Sequence, residues 1–461
     1  MTQAHTKGID MLHGSLWTQL PLFALPLAAT GILQQLFNAA DVAVVGNCTG
    51  AHGTVAVAAV GANSPIIGLI VGFFLGISLG ANVVIAYALG RGRAEAVEKA
   101  VHTAILLALV AGFAGMGLAE LAAPKILELM EIPEEVFPYA LIYLRIYLLG
   151  LPAILLYNFA AAIFRSTGDS RTPLYALFVA CVLNVLLNLF FVLVMDMQED
   201  GVALATVLAN MAGAFLLLYR LSRTGELIRV RWRHLRIDRG SLRQILKIGV
   251  PAGAQGAVFS AANVVIQAAI NTLGTSVIAA SSVALNLELF LFFIINAFGQ
   301  SCTTFVGQNF GARQIGRCRR ILLVCLGETG LVFVAAAGLI LLWGHNLLAL
   351  FNDNAEVVEL GYLRLEIIFV AYIFTVLYEI MCGYLRGFRI SFLPALLTII
   401  GVCVTRIVYV LFLFDETSTF ASVLMVYPVS LAATSVLIFA LLVLYRPGHR
   451  YAHREHRHHA A

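Results

Sequence analysis

The chain has 461 residues, of which 61% are hydrophobic and only 12% are Asp, Glu, Lys or Arg. A soluble domain is about 25% charged, so this chain lacks the polar surface of a soluble enzyme or a DNA-binding protein, and it is too apolar for a disordered chain. Composition therefore predicts a membrane protein with many spans, with the lipid bilayer as its surroundings and no nucleic-acid partner. The net charge of +4 is less informative than the positions of the few charges.

Twelve apolar stretches follow one another along the chain, separated by Pro, Gly and charged clusters. Each is long enough for a transmembrane helix, which needs about 20 residues, and each is continuously apolar, which excludes barrel strands. The sequence therefore predicts an all-α polytopic membrane protein. The predicted spans are 16–45, 55–89, 100–121, 137–164, 172–195, 201–221, 243–272, 275–308, 320–343, 359–385, 391–414 and 420–445.

The basic residues of the connections lie on one side of the predicted membrane. With the N-terminus inside, cytoplasmic segments hold 25 of the 29 Lys and Arg residues, and outside segments hold only Lys125. Because cytoplasmic loops are enriched in Lys and Arg, both termini are predicted to be cytoplasmic and the protein to reside in the plasma (inner) membrane. Of the seven cysteines only Cys48 faces outward, so no disulfide is expected.

The two halves of the chain resemble each other at offsets between 219 and 226 residues. Segment 37–42 recurs as 259–264, and Tyr-Leu-Arg at 143–145 recurs at 362–364. Each half has six spans, which predicts two six-helix lobes related by a pseudo-twofold axis along the membrane normal. The predicted domains are an N-lobe (1–221), a cytoplasmic linker (222–242), a C-lobe (243–445) and a disordered cytoplasmic tail (446–461). The His-rich run 453–459 in that tail is more typical of a solvated segment than of a metal site.

A cluster of polar residues is predicted inside the first half. A charge at the bilayer centre costs ~2.5–3.5 kcal/mol on insertion scales, so each one needs a reason. Asp41, Asn188 and Thr206 lie about 7–10 Å below the outer ends of their helices at 1.5 Å per residue, and Asn184 lies one turn from Asn188. One carboxylate, two amides and a hydroxyl could bind a hard monovalent cation or, with the carboxylate protonated, a proton. The alternative is that they only hydrogen-bond the helices together.

The second half does not repeat these residues. Asp41 aligns with Asn263 and Asn184 with Thr405, so the cation site is expected in the N-lobe alone. The candidate in the C-lobe is Glu288, which lies near the midplane. An isolated carboxylate there would attract an organic cation, but it could equally pair with a donor on a neighbouring helix.

The other intramembrane charges are interpreted as structural. Glu366 and Arg406 lie at similar depths on consecutive antiparallel spans, which predicts an ion pair. Arg145 and Arg364 lie near outer helix ends and are predicted to snorkel toward the interface. Two further carboxylates receive no role: Glu328 and Glu379. No phosphate-binding loop and no catalytic or metal-ligand spacing occurs in the spans, so we expect neither an enzyme nor a cofactor.

Several motifs together resemble those of the multidrug and toxic compound extrusion (MATE) family. They are the segments 33–41 (LQQLFNAAD), 165–169 (RSTGD), 201–206 (GVALAT) and 307–312 (GQNFGA). The similarity covers nearly the whole chain except its tail. It implies a monomeric antiporter that exports small organic cations in exchange for inward Na⁺ or H⁺, by alternating access of two lobes.

The resemblance also implies roles for individual residues. Asp41, Asn184 and Thr206 would bind the coupling ion, with Asn188 at a position where the family often has Asp. Gln34 and Asn158 resemble positions that contact drugs. Asn38, on the same helical stripe as Gln34 and Asp41, is a further candidate for the substrate cleft.

Two other functions are weighed against this one. A lipid-linked precursor flippase shares the lobe design but would need cationic residues near the midplane for a pyrophosphate, where the sequence places Glu288. A channel or membrane scaffold would conduct ions or bind partners without counterflow.

Overall fold

The computed structural model describes residues 8–48, 53–414 and 419–447. In these ranges the chain forms sixteen α-helices and no strand. The helices are α1 Leu16–Cys48, α2 Gly53–Gly90, α3 Ala94–Leu129, α4 Phe137–Leu149, α5 Leu151–Ser166, α6 Arg171–Leu189, α7 Glu199–Arg223, α8 Arg239–Asn271, α9 Thr275–Gly311, α10 Ile315–Leu342, α11 Gly344–Ala349, α12 Ala355–Gly387, α13 Phe392–Thr398, α14 Thr405–Phe412, α15 Phe420–Leu424 and α16 Val426–Tyr445.

These helices confirm the predicted all-α membrane fold. Eleven helical segments are long and apolar enough to cross a membrane, and α4 with α5, bent by 46°, make a twelfth. The bend falls where Pro152 occupies the first turn of α5, because proline has no N–H to continue the preceding helix. Helix α3 approaches this bend closely: a Cβ added at Gly112 would lie 2.6 Å from the Cα of Pro152.

Two spans contain π-helical segments. Helix α6 continues into a π-helix over Phe190–Val194, and a π-helix over Ile399–Val404 joins α13 to α14. Such segments widen the helix locally and are frequent at functional sites. Both lie close to the buried polar residues described below.

The described chain divides into two compact units. Residues 29–249 form unit 1 together with residues 8 and 9, whereas residues 10–28 form unit 2 together with the chain from Val250 onward. The sequence places the linker between the lobes and the start of the chain in the N-lobe. The structure instead assigns the linker to unit 1 and the first part of α1 to unit 2.

Specific contacts account for this division. In unit 1 the linker is attached to α3, because the N–H of Arg231 donates to His102 Nε2 at 3.1 Å and the N–H of Asp238 donates to Thr103 Oγ1 at 2.9 Å. In unit 2 the start of α1 is held by α9, where Phe23 packs edge-on against Phe305 with centroids 5.7 Å apart.

The predictions that concern the tail and Cys48 cannot be compared with the structure. The His-rich run 453–459 and most of the tail lie outside the described residues, as does the side chain of Cys48. The six other cysteines are free: Cys181, Cys302, Cys318, Cys325, Cys382 and Cys403.

Candidate functional site

Asp41 lies at the centre of a buried polar cluster in unit 1. Its Oδ1 accepts hydrogen bonds from Asn184 Nδ2 at 3.0 Å and from Asn188 Nδ2 at 2.7 Å. Its Oδ2 accepts one from Thr206 Oγ1 at 2.9 Å. All four side chains are at most 4% exposed. The structure therefore brings together the four residues that the sequence predicts for the ion site, and we call them the Asp41 cluster.

Three helices build the Asp41 cluster. Asp41 comes from α1, Thr206 from the second turn of α7, and the two asparagines from one face of α6 because they are four residues apart. Asn188 Nδ2 also donates to Asn184 Oδ1, and Asn184 Nδ2 also donates to Thr206 Oγ1, each at 3.3 Å. The π-helix that follows α6 begins two residues after Asn188.

Among the described residues, only neutral groups hydrogen-bond to the carboxylate of Asp41. No Lys, Arg or His within the described ranges forms an ion pair with it. In addition, Asn188 Oδ1 is buried and accepts no hydrogen bond from any described residue. A buried carboxylate without a counter-charge is unfavourable, and an unused amide oxygen beside it is a ready ligand. The donor set therefore fits a small cation or a proton.

Helix α4 contributes aromatic residues that sequence reasoning missed. Tyr143 and Tyr147 stack with centroids 6.3 Å apart. Tyr143 packs in one buried cluster with residues next to the Asp41 cluster on α1 and α7: Val44, Val45, Val202 and Ala203. The signal available in the sequence was the four-residue spacing of the two tyrosines, which places two hydroxyl-bearing rings on one face of the fourth span.

The three polar cleft candidates of unit 1 lie apart from the Asp41 cluster. Gln34 is half-buried and Asn38 is exposed on α1. Asn158 is buried, and its Nδ2 donates to the carbonyl of Ile154 in its own helix at 2.8 Å. Among the described residues none of the three hydrogen-bonds to Asp41, so contact with a substrate stays a prediction for all three.

Glu288 in unit 2 is paired rather than isolated. Arg364 Nε donates to Glu288 Oε1 at 2.5 Å and Nη2 donates to Oε2 at 3.1 Å, while Nη1 donates to Ser281 Oγ at 2.6 Å. Both charged side chains are at most 3% exposed. Of the two alternatives for Glu288, the donor on a neighbouring helix is the one observed. The prediction that Arg364 snorkels is wrong, because the side chain points inward to this carboxylate.

The predicted ion pair between Glu366 and Arg406 is also wrong. Glu366 is exposed, whereas Arg406 is 1% exposed. Arg406 Nη1 donates to Asn263 Oδ1 at 2.6 Å and Nε donates to Ser430 Oγ at 3.3 Å. Its partners are thus neutral oxygens of α8 and α16.

This contact repeats the one made by Asp41. The pairs Asn184–Asp41 and Arg406–Asn263 are each separated by 143 residues, and Asp41 aligns with Asn263 in the internal repeat. Arg406 therefore occupies the place of Asn184, one residue beyond the Thr405 that the sequence alignment predicts. The second half lacks the carboxylate, as predicted, but it keeps the contact.

The remaining carboxylates differ from each other. Glu379 pairs with Arg386 at 3.3 Å. Glu328 is buried on α10, and neither of its carboxylate oxygens has a hydrogen-bond partner among the described residues. No group of three metal-binding side chains occurs in the described parts of the chain.

The chain matches known proteins over most of its length. The family model MatE matches residues 26–190 and 251–412. The probable multidrug resistance protein YoeA of Bacillus subtilis is 26% identical over 396 residues, which cover 84% of this chain and 85% of that protein. The probable multidrug resistance protein YpnP of the same organism is 28% identical over 324 residues, which cover 68% and 69%.

The fold is likewise that of solved structures. A crystal structure of MATE in complex with MaD3S superimposes with a TM-score of 0.87 at 20% identity, over 96% of this chain and 99% of the other. These relatives and neighbours are transporters and not enzymes. The chain belongs to the MatE family, the multidrug and toxic compound extrusion (MATE) family of multi-pass membrane transporters.

Proposed function

We propose that this protein is a secondary active antiporter that exports small organic cations and drugs in exchange for inward H⁺ or Na⁺. The observation that carries the proposal is the buried Asp41 carboxylate, which has three neutral donors, no basic partner among the described residues and an unused oxygen of Asn188 beside it. The family membership and the names of the multidrug resistance relatives support the direction of transport. No cofactor enters this function.

The Asp41 cluster can couple ion binding to a change in packing. The three hydrogen bonds stabilise the ionised carboxylate, and a bound cation or proton removes the need for them. Other groups can then accept hydrogen bonds from the donors of the cluster, which are those of Asn184, Asn188 and Thr206. This changes the packing of α1 against α6 and α7. Coupling requires that the ion and the drug each differ in affinity between two conformations. Alternating access of two lobes supplies such conformations.

The cellular setting belongs to the same proposal. The bias of Lys and Arg toward the connections on one side supports cytoplasmic termini. An exporter of this kind would act as a monomer in the plasma (inner) membrane. An exporter in that membrane meets inward gradients of H⁺ and Na⁺, which are the gradients that the Asp41 cluster would use.

The test is transport by purified protein in liposomes, with Na⁺ and pH gradients imposed independently. Asp41→Asn keeps the shape of the side chain but cannot ionise, and we expect gradient-driven efflux of a fluorescent organic cation to fall at least tenfold, about the effect of one lost charge-assisted interaction. Glu366→Gln is the matched control, since it removes an exposed carboxylate. Undiminished gradient-driven efflux by Asp41→Asn would exclude Asp41 as the coupling residue.

A lipid-linked precursor flippase remains the second candidate, and one observation favours it. The sequence gives Glu288 as the midplane charge, but the structure shows that Glu288 is balanced by Arg364 and that Arg406 is buried beside neutral groups. Unit 2 therefore contains the cationic group that a pyrophosphate would need. Movement of a labelled polyprenyl diphosphate across the bilayer, without ion-driven dye efflux, would favour this candidate over the exporter.

A further inference from the structure

Arg406 is a buried cation that pairs with no carboxylate of the described residues. Its side chain is 1% exposed, and it forms no ion pair with any acidic residue in the described ranges. Its hydrogen bonds go to two neutral acceptors, Asn263 Oδ1 and Ser430 Oγ. The second terminal nitrogen, Nη2, donates to no described residue. A guanidinium carries five N–H donors in a fixed fork, so this one keeps unused donors.

Among the described residues of unit 2, no carboxylate pairs with Arg406. Glu288 binds Arg364 through both of its oxygens, so that carboxylate is already matched. Both arginines contact the ring of Tyr427. The Cζ of Arg406 lies 4.4 Å from the centroid of that ring, and the Cζ of Arg364 lies 5.9 Å from it. Among the described residues, two cations and one anion therefore lie around Tyr427, which leaves one positive charge without a matching carboxylate there.

The side chains that contact Arg406 are less buried than its guanidinium. Phe259 and Asn263 lie four residues apart on one face of α8, and the Cζ of Arg406 lies 5.2 Å from the Phe259 ring. Phe259, Asn263 and Tyr427 are each half-buried, in contrast to the fully buried guanidinium. The oxygen of Asn263 at 2.6 Å occupies the place in which an oxyanion would accept from Nη1.

We propose that Arg406 binds an acidic group, a carboxylate or phosphate, of the exported compound, so that the substrates of this transporter include zwitterionic and anionic molecules with an aromatic or apolar body. Planar bidentate recognition of oxyanions is the strength of the guanidinium fork, and the rings of Phe259 and Tyr427 provide flat faces beside it. The identity of the ligand as an exported compound rests on the proposed export function.

A matched pair of dyes tests this inference. Rhodamine 19 carries a free carboxylate, and rhodamine 6G is its ethyl ester with the same fluorophore. Binding to the purified full-length protein is measured by fluorescence anisotropy in detergent, without any ion gradient. We expect Arg406→Gln to weaken binding of rhodamine 19 about tenfold, as expected for the loss of a hydrogen bond between charged groups, and to change binding of rhodamine 6G less than twofold.

A second variant keeps the arginine and removes its free charge. Asn263→Asp places a carboxylate where the amide oxygen now accepts from Nη1, so it neutralises Arg406 in place and should fold even if Arg406→Gln does not. We expect the same selective loss of rhodamine 19 binding. The control is Arg145→Gln, which removes an exposed arginine at the repeat-related position of Arg364 and should change neither dye.

Three outcomes overturn the inference. In the first, Arg406→Gln or Asn263→Asp weakens both dyes equally, which shows a structural role only. In the second, the folded variants retain full preference for the acid. In the third, millimolar inorganic phosphate or chloride displaces bound rhodamine 19 but not rhodamine 6G, which assigns the site to a free inorganic anion. Loss of gradient-driven efflux with acid-selective binding intact would instead contradict the proposed export function, so the two failures are distinguishable.

Discussion

The two units make the same buried contact with opposite charge. In unit 1 the amide of Asn184 donates to the carboxylate of Asp41, and in unit 2 the guanidinium of Arg406 donates to the amide of Asn263. The sequence separation is 143 residues in both. The repeat therefore fixes where two helices meet, while the residue types at that point decide whether the place can bind a cation or an anion.

A second difference is the charge of the groups that hydrogen-bond to the buried carboxylate of each unit. Glu288 forms two hydrogen bonds with a full positive charge, whereas Asp41 receives three hydrogen bonds from neutral donors. A paired carboxylate is satisfied within the protein and has a structural role. A carboxylate with neutral partners is stabilised but keeps its net charge, so it still attracts an ion from outside.

The largest expected effect is a loss of stability when the ion pair of unit 2 is removed. Glu288→Gln leaves Arg364 buried and unpaired, and loss of one partner of a buried ion pair costs about 3–5 kcal/mol. Asp41→Asn leaves no unpaired charge behind, so its cost should stay below ~1.5 kcal/mol, about that of one hydrogen bond. Denaturant titration in detergent micelles measures both.

The double variant Glu288→Gln with Arg364→Gln is the control for that experiment. With both charges removed, we expect most of the lost stability to return. Equal free energies of unfolding for Glu288→Gln and Asp41→Asn would show that the two carboxylates have the same kind of environment after all.

The sequence predicts a contact well when the contact depends on the depth of the residues in the membrane. It predicts a contact poorly when the contact depends on which face of its helix a residue occupies. The Asp41 cluster was predictable because the rise per residue fixes the depth of Asp41, Asn188 and Thr206. The partner of Glu288 was not, because depth alone does not give the face of a helix. Arg364 and Glu366 are two residues apart on α12, which turns them to nearly opposite sides. One is buried and the other is exposed.

The repeat alignment failed for a related reason. Pro173 and Pro394 are the third residues of α6 and α13, which correspond in the repeat, and they are 221 residues apart. Asn184 and Arg406, which make the corresponding contacts, are 222 residues apart. The π-helix over Ile399–Val404 lies between Pro394 and Arg406, and a π segment fits an extra residue into its turn. That residue shifts the register from Thr405 to Arg406, and an apolar run of this kind carries no sequence signal for a π segment.

An intermediate effect is expected on ion dependence when the Asp41 cluster of unit 1 is changed. Asn188→Leu removes both the 2.7 Å hydrogen bond to Asp41 and the unused oxygen. If the coupling ion is Na⁺, the loss of an oxygen ligand should raise the Na⁺ concentration for half-maximal efflux about tenfold. If it is H⁺, the less stabilised carboxylate should hold its proton more tightly, and half-maximal efflux should occur at a lower proton concentration.

The opposite signs for the two ions make Asn188→Leu a test of ion identity as well as of the site. The measurement is the ion dependence of dye efflux in liposomes. The matched control is Asn158→Leu, an asparagine buried in the same unit whose amide donates to its own helix. Unchanged dependence on both ions in Asn188→Leu would remove Asn188 from the site.

The smallest expected effect compares two arginines at repeat-related positions. Arg145 has 53% of its side chain exposed and lies 3.8 Å from Glu120, whereas Arg364 is buried and bonded to Glu288. Exposed ion pairs contribute little because water screens them, so Arg145→Gln should change the free energy of unfolding by less than ~0.5 kcal/mol. Arg364→Gln should lower the free energy of unfolding several times more, by about 3–5 kcal/mol, because it leaves the buried carboxylate of Glu288 without a partner. Both variants are measured in the same denaturant titration. If Arg145→Gln lowered the free energy of unfolding more than Arg364→Gln does, the exposure of an arginine would not determine its contribution to stability. Its position in the repeat would then determine that contribution instead.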